Sequence, residues 1–193
     1  MNKSILFFSI IPILFFLSNC SPIGILGGAS TTTMVIAEGD RSFGAVVDDA
    51  TIKLNISTNF LKSPNGLFVD INTNVIEGRV LLTGLVDTQE IRIEAVKRVW
   101  EIKGIAEVIN EIEIGKQVTA KEFANDLWIN TQIKALAAKA IGLRALSYNF
   151  ETIRGKVYIA GITSRPEQLE AILLNTKKIK GVTEIVNYVV VVE

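Results

Sequence analysis

A passage written twice constrains this chain more than anything else in it. Residues 78–114 read GRVLLTGLVDTQEIRIEAVKRVWEIKGIAEVINEIEI, and residues 155–191 read GKVYIAGITSRPEQLEAILLNTKKIKGVTEIVNYVVV. Gly78, Gly84 and Gly104 are answered by Gly155, Gly161 and Gly181, always at an offset of 77. The same offset pairs Asp49 with Asp126, Ile52 with Ile129, Ile56 with Ile133 and Asn72 with Asn149. Such self-similarity marks an internal duplication, and a period this long describes two small domains rather than a solenoid. Each copy holds roughly 70 residues, near the lower limit for a self-standing core.

The pattern within one copy predicts helix, strand, strand, helix, strand. Asp48 or Asp49 is expected to cap a helix striped by Ile52, Ile56 and Phe60, which Ser63-Pro64-Asn65-Gly66 stops. A strand over Leu67–Val75 and another over Val80–Leu85 flank Glu77-Gly78 as a hairpin. Asp87 or Thr88 caps a second helix carrying Ile91, Ala95, Val99 and Ile102, which Gly104 ends; Trp100 is expected in core or interdomain packing. Ala106–Ile114 closes the copy as a strand parallel to the one before, because a helical crossover joins them. The second copy repeats the plan. Its first helix is expected from Asn125 to about Ile141, its strands over Ala145–Thr152, Lys156–Ile162 and Thr183–Val192, and its second helix opens at Arg165-Pro166. The fold class is α+β: two tandem α-β-β-α-β domains, residues 46–115 and 116–193, each a three-stranded mixed sheet packed on two helices.

Composition narrows the chemistry. Histidine is absent and Cys20 is the single cysteine, which removes the commonest general base and metal ligand as well as any disulfide or thiolate site. Asp48–Asp49 reads as a helix start and Glu111/Glu113 as alternate residues of one strand, so neither carboxylate pair points to catalysis. No phosphate-binding glycine loop occurs. An enzyme is not expected, nor a cofactor, a metal, a nucleic-acid partner or a small-molecule substrate. The chain is neutral overall, but residues 38–116 hold 13 acidic and 9 basic side chains, net −4, and residues 117–193 hold 7 and 10, net +3. Either the second copy meets something anionic, such as lipid headgroups, or two solvated surfaces differ by a few charges.

The leader carries Lys3 and then an almost wholly apolar Ile5–Leu17, too short to span a bilayer and suited to a signal peptide over residues 1–19. Leu17-Ser18-Asn19-Cys20 resembles a bacterial lipobox, although a residue smaller than Asn19 is usual before the cysteine. That resemblance implies lipidation at Cys20, and Ser21 in place of an aspartate implies delivery to the outer membrane. Residues 20–45, rich in Gly, Ser and Thr, are expected to form the lipidated N-terminus and a flexible tether.

Each copy has a V-x-L-x-G-like strand end (Val80 to Gly84; Val157 to Gly161) and a later K-G-[IV]-x-x-[VI]-x-N. With the duplicated frame these resemble BON domains, and a lipobox ahead of two of them resembles the dual-BON outer-membrane lipoproteins. Asn125-Asp126-Leu127-Trp128-Ile129-Asn130-Thr131-Gln132-Ile133-Lys134 is similar to the opening of the second BON domain in such proteins. The resemblance implies a non-catalytic module that binds anionic phospholipid through the first helix of the second domain, on the periplasmic face of the outer membrane, and maintains membrane integrity. The inward stripe of that helix should be Ile129, Ile133, Leu136 and Ala140. Trp128 then falls outside it with Gln132, Ala135 and Lys139, and Lys134 adds charge, so these five are the expected lipid-binding residues. A tryptophan outside the core suits a membrane–water interface; alternatively it covers the gap between the two domains. A periplasmic adaptor that docks an envelope protein is the competing function.

Overall fold

Residues 42–192 are described by the computed structural model; the leader, Cys20 and most of the tether lie outside them. The first copy forms α1 (Phe43–Leu61), a one-turn α2 (Leu67–Asp70), β1 (Ile71–Ile76), β2 (Arg79–Val86), α3 (Gln89–Trp100) and β3 (Glu107–Ile114). The second forms α4 (Ala120–Ile141), a 3₁₀ turn (Gly142–Ser147), β4 (Tyr148–Ile153), β5 (Lys156–Thr163), α5 (Pro166–Thr176) and β6 (Glu184–Val191). In each sheet the central strand pairs antiparallel with the strand before it and parallel with the strand after it. Ile71 faces Gly84 in the first sheet and Tyr148 faces Gly161 in the second, so the two copies share register as well as order. Two long helices cover one face of each sheet, closing one core around Ile56, Phe60, Leu82 and Val99 and another around Ile129, Ile133, Ile159 and Ile172.

Several local expectations shift. Ser42 caps α1, its hydroxyl accepting from the Ala45 N–H at 3.2 Å, so the helix begins inside the stretch assigned to the tether. Leu67–Asp70 is a helical turn, not the start of a strand; Leu67 is buried while Val69 points into solvent at 84% exposure. Helix α3 ends at Trp100, short of Ile102, and Trp100 is 53% exposed rather than packed. Thr88, not Asp87, provides its N-cap.

The paired aspartates hold the hairpins. Asp49 lies in the second turn of α1 and reaches the β1–β2 turn, where its carboxylate accepts from the N–H groups of Glu77 (2.7 Å) and Gly78 (2.9 Å). Asp126 on α4 does the same for Arg154 (2.8 Å) and Gly155 (2.9 Å). Asp49 is thus a buried brace and not a helix cap. Both turns need positive φ at two successive residues, Glu77 and Gly78 at 51° and 73° and Arg154 and Gly155 at 52° and 79°, the primed geometry that matches strand twist. Gly84 is required for a different reason: a Cβ there would lie 2.1 Å from the Asp70 carbonyl oxygen.

The outer faces of the two sheets pack against each other. Ile76, Leu81 and Leu85 meet Ile153, Tyr158, Ala160 and Ile162 in a third core, leaving the helices outside. This shared core explains how two copies of marginal size form one compact unit, Val35–Glu193. A pseudo-twofold relates the copies. Asn72 donates to Glu151 at 3.0 Å, and Asn149, its equivalent, donates to Asn74, the equivalent of Glu151. Glu111 likewise accepts from the hydroxyl of Tyr188, its own counterpart. Lys156 lies 3.4 Å from both Glu111 and Glu113, and Tyr158 donates to Glu113 at 3.3 Å. Burial pushes both phenols up to about 12, so they remain neutral donors at neutral pH.

Glu151 is the strained member of this seam. Burial raises its carboxyl above the ordinary range; Asp126 adds to the shift, while Lys134 and Lys53 act against it. A group raised on folding contributes stability below its unfolded pKa and loses it as pH climbs through the folded value. Glu151→Gln keeps the acceptor for Asn72 and removes the buried charge. It should therefore raise the urea midpoint at neutral pH, and the gain should vanish at roughly pH 3.5, where the wild-type carboxyl is protonated in both states.

Candidate functional site

Helix α4 is fastened on one side and bare on the other. Thr119 caps it with Glu122 in a capping box: the Glu122 N–H donates to the Thr119 hydroxyl at 3.3 Å, and the Glu122 carboxylate accepts from the Thr119 N–H at 2.7 Å. The Thr119 N–H and hydroxyl hold the Glu122 carboxyl below its ordinary range, with Arg154 nearby at 3.5 Å adding to the effect. Asp126, Ile129, Ile133 and Ala137 are buried, and Asn130 accepts from the Thr152 hydroxyl at 2.9 Å. Ala137 takes the core position expected of Ala140, which is exposed. Residues four apart lie on one helix face, which carries the seam from Ile129 through Ile133 to Ala137.

Both carboxylates of α4 are thereby engaged on its inner side. The outward side, on a 3.6-residue period, presents Ala124, Leu127, Trp128, Thr131, Ala135 and Ala138, with no charge among them. The Thr131 hydroxyl donates to the Leu127 carbonyl at 2.8 Å and is thereby satisfied within the helix. Trp128 is 46% exposed and Leu127 57%. Lys121 and Lys139 border this stripe on one side and Lys134 on the other.

The expected residues fall into two groups. Trp128, Gln132, Ala135 and Lys139 share one face, Gln132 being half-buried at its edge. Lys134 lies on the neighbouring flank with Leu127 and Ala138, close enough to Glu151 for its charge to act on that carboxyl. Trp128 does not cover the gap between the domains, which the back-to-back sheets fill. Phe123, Leu127, Leu143 and Leu146, all exposed, extend the apolar surface beyond the expected set. Phe123 precedes Asn125, the expected start of this helix, although Thr119-x-x-Glu122 is a helix-start signature. Leu146 falls in the stretch from Ala145 that reads as the beginning of a strand, and Leu143 between that strand and the expected helix end, whereas both lie in the 3₁₀ turn. No helix among the described residues is long and apolar enough to cross a membrane.

Comparison with known proteins agrees with this architecture. The BON domain family model matches residues 48–116 and 125–193. A protein from the gshII 5′ region of Anaplasma centrale, itself uncharacterized, is 38% identical over 144 residues, covering 74% of this chain and 94% of its own. The outer membrane lipoprotein DolP of Haemophilus influenzae is 26% identical over 178 residues, 89% of this chain and 88% of DolP. A 21 kDa hemolysin of Actinobacillus pleuropneumoniae is 29% identical over 154 residues, 77% of this chain and 78% of the hemolysin. With the family matched twice over a duplicated sheet-and-helix frame, the chain belongs to the BON-domain family and carries the domain in tandem.

Proposed function

We propose that the protein is a non-catalytic, lipid-anchored envelope protein that rests on anionic phospholipid through α4 of its second BON domain and helps keep the outer membrane intact. The observation that carries this reading is the outward stripe of α4, an uncharged apolar surface centred on Leu127 and Trp128 with lysines on both borders. An apolar face with cationic margins lies in the plane of a bilayer: rings and aliphatic groups enter the headgroup boundary and the lysines meet phosphate. Each lysine near the surface adds about 1 kcal/mol against anionic lipid. The similarity to DolP, an outer membrane lipoprotein by name, supports the location and lends weight to lipidation at Cys20, which mass spectrometry of the mature N-terminus tests.

Flotation of the compact unit 35–193 with phosphatidylglycerol vesicles tests the reading. The unit should float with them and not with purely zwitterionic vesicles. Lys134→Glu combined with Lys139→Glu should reduce flotation, and added salt should shrink the difference, since surface attraction is screened over about 10 Å at 0.1 M salt. A fragment that ignores anionic vesicles but cross-links to one envelope protein would favour the adaptor instead.

A further inference from the structure

Where α4 ends, the surface opens into a groove of about 720 Å³. It is lined by Lys134 and Ala138 of α4, Leu143 and Leu146 of the 3₁₀ turn, and Tyr148 and Phe150 of β4. The two rings stack with centroids 6.4 Å apart and planes 11° from parallel, a flat aromatic base. Gly142 turns the chain off the helix at φ 62°, and a Cβ at this position would meet nothing within 4 Å. The matching place in the first copy is built differently. There α1 stops earlier, and the loop after it is pulled onto α3, with Ser63 donating to Glu94 at 2.9 Å and Asn65 bonded to the same carboxylate.

We infer that this groove takes one acyl chain of an anionic phospholipid, with Lys134 meeting the lipid phosphate at its mouth. The inference rests on the lipid-facing reading of α4. The lining is apolar apart from Asn149, the Tyr148 hydroxyl and one charged group, Lys134, so an occupant with an apolar tail and a single anionic end matches it. Its size lies within the range of sites that enclose small amphiphiles. The groove is also continuous with the outward stripe, because Ala138 belongs to both and Lys134 borders the stripe at the groove. A chain leaving a bilayer pressed against Trp128 therefore reaches it without crossing a polar surface. Lys134 also acts on the Glu151 carboxyl, and a lipid phosphate would compete with that carboxyl for it.

The test uses unit 35–193 and lauroyl lysophosphatidylglycerol held below its critical micelle concentration, with binding followed by isothermal titration calorimetry. The wild-type unit should bind one monomer saturably. Ala138→Phe places a ring in the groove from an exposed helical position, so the fold should survive, as a thermal melt will verify. It should weaken monomer binding roughly tenfold or more. Trp128→Glu lies outside the groove and should lose flotation while keeping the monomer. Absence of saturable binding by the wild-type unit, or unchanged binding by folded Ala138→Phe, overturns the groove even if flotation persists. Equal affinity for lysophosphatidylcholine of the same chain length overturns the role given to Lys134.

Discussion

Replacing Asp126 with alanine should destabilise the unit by about 3 kcal/mol or more. The carboxylate is buried and accepts from two backbone N–H groups, those of Arg154 and Gly155. A hydrogen bond to a charged group contributes about 1.5–3 kcal/mol, and removing the acceptor also strands two donors. For a domain of this size that corresponds to a fall in melting temperature of roughly 6–12 °C. Asp126→Asn retains one acceptor oxygen but turns an N–H₂ toward the other donor, so it should recover only part of the loss. Asp49→Ala should behave alike in the first copy, because Asp49 holds Glu77 and Gly78 in the same way. The copies share the sheet-on-sheet core, so either variant should melt in one transition instead of releasing one domain ahead of the other. Two separated transitions would mean that the seam between the sheets contributes little.

Trp128→Glu should abolish vesicle flotation while shifting stability by no more than about 0.5 kcal/mol, as expected for a surface position. Burying the exposed part of an indole in the headgroup region is worth about 2 kcal/mol at ~25 cal/mol per Å². The glutamate removes that term and adds a charge repelled by anionic lipid, so affinity should fall at least about 30-fold. Ile129→Glu, one residue along the helix, separates the two roles. Ile129 is fully buried, so a carboxylate there should unfold the second domain before lipid is ever met.

Much of this architecture is written in the spacing of the glycines and aspartates. The offset of 77 carries the hairpin turns, the helix crossovers and the register of both sheets, because each conserves a backbone requirement that few residues meet. What the spacing does not convey is how the sheets meet. Strands β2 and β5 are buried along nearly their whole length, one face against helices and the other against the partner sheet. The unbroken apolar runs Val80–Leu82 and Val157–Ala160 carry that two-sided burial, whereas the alternation of β3 alone suggests one wet face. Glu111 and Glu113 look solvated in the sequence for that reason, yet they face the seam and meet Lys156, Tyr158 and Tyr188. Trp100 misled in the opposite sense: it is large and apolar near a helix end, but α3 stops at that residue and leaves the ring outside. At the candidate site Trp128 was legible because it breaks the core periodicity of α4. Phe123 lies beyond the expected start of that helix, and its exposure depends on a capping box that lengthens α4 toward the N-terminus.

The claim that α4 is the lipid-facing surface is tested most directly by the emission of Trp128. Trp100→Phe leaves Trp128 as the one indole of the chain, and Trp100 is itself exposed, so the change costs little. On addition of phosphatidylglycerol vesicles, emission from Trp128 should shift to the blue, and lipids brominated along the acyl chain should quench it. In the reciprocal Trp128→Phe chain, Trp100 on the opposite domain should neither shift nor be quenched. Emission from Trp128 that stays unchanged at lipid concentrations where the unit floats would contradict the assignment of α4, and a response from Trp100 instead would move the contact to the first domain.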